Sequence, residues 1–140
     1  MLTTKIIHPP LIRALAEAGH GARILLADGN YPVTVKSHPA ARKVFLNFIP
    51  GLVGGVAIVR ALAETIPVES AMYMTPPDGE MPAIIKEYKS LIGGDVPFEG
   101  LERFAFYDAA STSDNAVVIA SGEQRTYANL LITVGVVQPK

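Results

Sequence analysis

Residues Ala16 to Pro32 read AEAGHGARILLADGNYP, and the way this stretch breaks into pieces decides the fold. A helix ends at Gly19, whose position suits a C-terminal cap. Arg23 to Ala27 is a short apolar run with the character of a buried strand. Asp28 stands where that strand gives out, and Gly29-Asn30-Tyr31-Pro32 is turn chemistry. One imidazole, His20, and one carboxylate, Asp28, therefore bracket a single tight unit. In sheets flanked by helices, the loops beyond the carboxyl ends of strands hold ligands. His20 and Asp28 are accordingly expected in one small polar site.

Upstream of this unit, His8-Pro9-Pro10 suits a helix start with proline in the first turn, and Leu11, Ile12, Leu15, Ala16 and Ala18 give it an apolar stripe. Downstream, Val33 to Val35 is expected to be extended, 36–42 a loop, and Lys43 to Phe48 a second strand. A Gly-rich lead-in with Gly51, Gly54 and Gly55 precedes a helical pattern over Val56 to Ile66. Such a lead-in can cradle phosphate, but the Lys-Ser/Thr pair of a P-loop is absent. Glu69 to Thr75 reads as a third strand. Pro82 opens a helix that carries Ile84, Ile85, Tyr88, Leu91 and Ile92 and closes at Gly93-Gly94. Pro97 to Leu101 reads as a connector. Arg103 to Ala110 reads as a short helix with Phe104 and Tyr107 on one face and Phe106 turned away. Ala116 to Ala120 is an apolar strand, 121–128 a polar connector and Asn129 to Val134 a last strand. Helices and strands alternate, which predicts a single α/β domain over 1–140, three-layered with a central sheet covered on both faces.

Composition narrows the function classes. The 140 residues carry 12 Lys and Arg against 13 Asp and Glu, with no basic cluster, so neither nucleic acid nor anionic lipid is an expected partner. Cysteine is absent, which removes disulfides and thiolate chemistry. The three histidines are scattered and form no metal motif; His8 and His38, each beside a proline, read as structural. The first ten residues lack the apolar core of a signal peptide, so the expected location is cytoplasmic. Val44 to Val59 is uncharged, but Asn47, Pro50 and three glycines interrupt it, and a span needs about 20 mostly apolar residues. At 49% hydrophobic residues the chain is apolar for its size, which points to contacts between subunits.

Three stretches carry a family likeness: AGHGARILLADGNYP, RFAFYDAA at 103–110 and SGEQRTYANLLITVGV at 121–136. Together they resemble the family of L-fucose mutarotases and D-ribose pyranases, small proteins that interconvert sugar anomers. The resemblance implies a proton-donating His, matched by His20. It implies an Asp that binds sugar hydroxyls, matched by Asp28, and a Tyr-x-Asn element, matched by Tyr127-Ala128-Asn129. Fucose-type members carry an Arg at the start of the Arg-Phe-Ala-Phe-Tyr run, matched by Arg103, where ribose-type members tend to have a His in that region. The chain is thus nearer the fucose branch. It departs from the pattern at Gly29-Asn30-Tyr31, where the fucose enzymes look like Ala-His-Phe, and at Thr133, where a Lys is common.

The resemblance further implies a ring-shaped decamer with sites at subunit contacts, a small monosaccharide as substrate, and no cofactor or metal. Anomer exchange needs a proton delivered to the ring oxygen and another removed from the anomeric hydroxyl. Histidine suits the first step because its unperturbed pKa lies near working pH. Just past a helix C-terminus, the dipole would also favour a protonated ring. Read without the resemblance, His20 is a helix-end cap, Asp28 a turn former, and Arg103 the ion-pair partner of Glu99 or Glu102. The competing functions are a pyranase acting on ribose and a sugar-binding accessory of a transport system that turns nothing over.

Overall fold

The computed structural model describes residues 1–140. In chain order the elements are α1 (Pro9–Glu17), β1 (Arg23–Ala27), β2 (Arg42–Phe45), α2 (Gly55–Ala63), β3 (Val68–Met74), α3 (Ala83–Ile92), β4 (Phe98–Leu101), α4 (Arg103–Ala110), β5 (Asn115–Ala120) and β6 (Leu130–Val134). The six strands form one sheet in the order β2-β5-β1-β6-β3-β4. β1 runs parallel to β5, β5 to β2, and β3 to β4, while β6 is antiparallel to both β1 and β3. Five strands therefore share one direction, and β6 alone opposes them. One edge of the sheet collects the carboxyl ends of β1 to β5 and the amino end of β6.

Side chains on β1 alternate between two cores, as a strand period of two requires. Ile24 and Leu26 join a cluster of 21 buried residues that includes Leu11 and Leu15 of α1, Ile58, Val59 and Leu62 of α2, and Ile84, Ile85 and Tyr88 of α3. Leu25 and Ala27 face the other way, into a smaller cluster with Phe106 and Ala110 of α4. The result is a three-layer α/β/α domain with a central sheet covered on both faces, three helices to one side and one to the other. No helix is long and apolar enough to cross a membrane.

Several local expectations are corrected. α1 ends at Glu17 with Ala18 as an extended cap, and it is Gly21, at φ 82°, that takes the left-handed turn rather than Gly19. Val33–Val35 is a turn, because the Val33 amide donates to the Tyr31 carbonyl and the Val35 and Lys36 amides donate to the Pro32 carbonyl. Phe98–Leu101, read as a connector, pairs with β3 as an edge strand. β2 closes at Phe45, three residues before the expected end.

Candidate functional site

β1 delivers Asp28 to the sheet edge where the parallel strands end. There its side chain is buried, at 5% exposure. Oδ1 accepts the Asn30 amide at 3.0 Å, an Asx turn that shapes the Gly-Asn corner. Oδ2 accepts the Ala128 amide at 3.3 Å and the Asn129 side-chain amide at 3.1 Å. Asn129 returns the contact, its Oδ1 accepting the Asp28 backbone amide at 2.8 Å. Asp28 and Asn129 thus grip each other from β1 and the lead-in to the neighbouring β6. Burial raises the Asp28 pKa, and the donors from Asn30, Ala128, Tyr31 and Asn129 offset only part of that rise.

These groups open onto a cavity of about 300 Å³ lined by Asp28, Asn30, Tyr31, Met74, Arg103, Tyr107, Thr126, Tyr127 and Asn129. The lining residues come from strand ends, from α4 and from the segment that leads into β6. Met74 closes β3, and Arg103 opens α4 directly after β4. The Glu102 carboxylate caps α4 by accepting the Phe104 and Ala105 amides at 3.0 and 2.7 Å. With Glu102 so occupied, Arg103 forms no ion pair within the chain; its guanidinium carbon lies 4.7 Å from the Phe104 ring centre. Tyr31 and Tyr107 meet edge to face at 5.4 Å and form the aromatic wall. The cavity therefore offers one cation, one buried anion, amide and hydroxyl groups, and three aromatic rings. A small neutral polyol fits that combination better than a charged ligand does.

Four of the five binding residues expected from the sequence, Asp28, Arg103, Tyr127 and Asn129, line this one cavity. Ala128 lies behind them, fully buried, with its amide on Asp28. His20 is not among them. It precedes β1, so the strand's five residues, roughly 16 Å of extended chain, separate it from Asp28 within one chain. The expectation of one site at the two ends of a tight unit fails inside a single chain because a strand is a spacer. His20 lies two residues past Ala18, the C-cap of α1. The His20 ring instead meets Glu69 at the start of β3, with Nε2 and Oε2 2.7 Å apart and both side chains about half exposed.

Asn30, Tyr31, Met74, Tyr107 and Thr126 line the cavity as well, beyond the residues expected from the sequence. Tyr107 was within reach, because it lies four residues after Arg103 on the same helical face. Glu123 is buried and stands at the amino end of α2, accepting the Gly55 amide at 3.0 Å. The Gly-rich lead-in considered for phosphate is therefore filled by the chain's own carboxylate. His8 caps α1 by accepting the Leu11 amide, and His38 accepts the Ala40 amide.

The sequence matches the RbsD / FucU transport protein family over residues 1–137. The fucose mutarotase of Danio rerio is 32% identical, covering 96% of this chain and 92% of its own. The structure of the Streptococcus pneumoniae fucose mutarotase in complex with L-fucose superposes with a TM-score of 0.83 at 25% identity, covering 99% of this chain and all of that one. The Bacillus subtilis RbsD structure, complexed with D-ribose, superposes at 0.84 and 26% identity with the same coverage. With the match running through nearly every residue, the chain belongs to the RbsD / FucU family.

Proposed function

We propose that the protein is a cytoplasmic, cofactor-free isomerase, a mutarotase that interconverts the anomers of L-fucose or a closely related aldose. The observation that carries this reading is the convergence of Asp28, Arg103, Tyr127 and Asn129 on one cavity at the carboxyl ends of the parallel strands. Relatives named fucose mutarotase support the reaction class. Arg103 supports the fucose side, as the residue that distinguishes the two branches.

In this mechanism the sugar lies against the Tyr31–Tyr107 wall. Arg103, the Tyr127 hydroxyl and the Asn129 amide donate to its hydroxyls. Asp28 lines the cavity while its carboxylate is held by Asn30, Ala128 and Asn129, and it accepts a sugar hydroxyl from the cavity side. His20 is the proton donor: it protonates the ring oxygen as the bond from C1 opens while the anomeric hydroxyl gives its proton to water, and on reclosure from either face the attacking hydroxyl returns its proton to His20 as the new anomeric oxygen is reprotonated by water. General acid–base catalysis of this kind is worth about 10²–10⁴-fold.

His20 reaches the sugar from a neighbouring copy, so each site is completed across a subunit contact in a ring-shaped decamer. Two features support assembly. His20 is exposed and distant from its own chain's cavity. Phe45, Phe48, Ile49, Leu52 and Val53 form an exposed apolar run that a lone chain leaves in water.

The second reading, a pyranase that shifts D-ribose between ring sizes, is favoured by the equally close superposition on the ribose-bound structure. Saturation-transfer NMR on L-fucose and D-ribose separates the two. Faster anomer exchange for L-fucose is the expected result, and acceleration for ribose alone overturns the choice. Saturable binding without acceleration of either sugar would leave a non-catalytic sugar binder.

A further inference from the structure

The segment 121–129 carries Thr126, Tyr127 and Asn129 into the cavity yet contains no helix or strand. It also holds Tyr127 at φ 56°, in the left-handed region that a non-glycine residue occupies at a cost. Something outside the segment must hold that conformation. Two consecutive residues of α3 do so, one on each side of Tyr127. Glu87 accepts Arg125 Nη1 at 3.1 Å. Tyr88, fully buried, donates its hydroxyl to the Ala128 carbonyl at 3.2 Å.

The Tyr88 hydroxyl reaches Ala128 only because residue 55 is glycine. A Cβ there would overlap the hydroxyl oxygen. Burial pushes the phenol pKa well up, so the group is a donor throughout the working range. Both peptide groups that flank the Ala128 Cα are held, the carbonyl by Tyr88 and the amide by Asp28. Losing the first contact frees the second to drift.

We propose that Tyr88 is a positioning residue for the sugar site: its hydroxyl, passing Gly55, fixes the Ala128 carbonyl and so holds Tyr127 and Asn129 in their binding arrangement. It touches no substrate and acts only through the segment it anchors. The inference rests on the mutarotase reading for its kinetic arm and on hydrogen exchange alone for its structural arm.

The test is Tyr88→Phe in the full chain, which deletes a single oxygen. Two measurements accompany it: L-fucose anomer exchange by NMR, and amide hydrogen exchange residue by residue. The loss of one neutral hydrogen bond predicts about a three- to tenfold fall in exchange rate at sub-saturating sugar, carried by KM with kcat little changed. The Ala128 amide should exchange faster while Leu25 and Val118, in the sheet core, keep wild-type protection. A role in general stability would loosen all three amides together and overturn the proposal; so would unchanged Ala128 protection. If the wild-type protein accelerates no aldose, the mutarotase reading fails, and the Ala128 amide still decides whether Tyr88 anchors the segment. Gly55→Ala, which displaces the same hydroxyl from the opposite side, should reproduce the Ala128 signature and serves if Tyr88→Phe folds poorly.

Discussion

Glu123→Gln tests the electrostatic anchor of the segment that carries the site. The Glu123 side chain is 7% exposed. Arg125 grips it in fork geometry, with Nε to Oε1 at 2.9 Å and Nη2 to Oε2 at 3.0 Å. The Arg125 and Gly55 amides add two further donors, each at 3.0 Å. Led by the Arg125 side chain, these contacts hold its pKa down at about 2, against 4.5 for the free group. Because the folded value lies below the free one, the folded chain favours the ionised form. The resulting stability is complete above the free value and disappears as pH falls through the folded value. At roughly 1.4 kcal/mol per pKa unit, the shift sets a ceiling of about 3 kcal/mol, and because Arg125 is half exposed, solvent screening lowers the contribution to about 1–2 kcal/mol at neutral pH. Urea unfolding of wild type and variant, at one protein concentration and a series of pH values, measures it. The variant should be less stable by about 1–2 kcal/mol at pH 7, with the gap closing steadily below the ordinary carboxylate range. A gap that stays constant with pH would refute the ion-pair account and leave only a packing defect.

Three other outcomes follow from the geometry. Asp28→Asn removes a charge that burial disfavours, but both carboxylate oxygens accept from N–H groups, so its side-chain amide must face a donor it cannot satisfy. It should cost about 1–3 kcal/mol of stability while cutting L-fucose exchange by about 10- to 100-fold, readable by thermal melts and NMR together. Because the Asp28 pKa is raised, the burial penalty on its ionised form is relieved as pH falls through the folded value; the stability gap between wild type and Asp28→Asn should therefore shift in favour of wild type on acidification. Arg103→Ala removes a cation that pairs with no carboxylate in its own chain, so sugar titration should show weaker binding with a melting temperature within about 2 °C of wild type. Gly122→Ala places a methyl against the backbone carbonyls of Leu52 and Ile49, which cannot swing aside as a side chain would. A loss of about 2–4 kcal/mol is expected by urea unfolding.

The parts of this structure that were legible in the sequence are those fixed by local chemistry. β1 occupies Arg23–Ala27 as read, because an apolar run is closed by a glycine-containing linker on one side and an Asx turn on the other. α4 starts at Arg103 and ends at Ala110 as read, although it is Phe106 that enters the core while Phe104 stays exposed. β4 escaped notice since Phe98-Glu-Gly-Leu101 is four residues long, contains a glycine and lies on an edge, where a single neighbour supplies its pairing. Strand order is a long-range property. Nothing local in Leu130–Val134 says that it lies antiparallel between β1 and β3.

The same division holds for the site. Asp28, Tyr127 and Asn129 sit in short recognisable motifs, whereas Met74 and Tyr31 enter the cavity because separate strands end at one edge. The distance of His20 from that edge was itself legible, because the five residues of β1 that separate it from Asp28 were read correctly and span roughly 16 Å when extended.

The central claim is that the proton donor and the sugar-gripping groups come from different copies of the chain. Mixing two variants tests it most directly: His20→Ala, which lacks the donor, and Asp28→Asn, which lacks the binding carboxylate. Each alone should exchange L-fucose anomers slowly. After the two are unfolded and refolded together in equal amounts, about a quarter of the sites should pair an intact His20 with an intact Asp28 from the next copy, and exchange should recover to about that fraction of wild type. A refolded mixture no faster than the average of its two components would contradict a shared site.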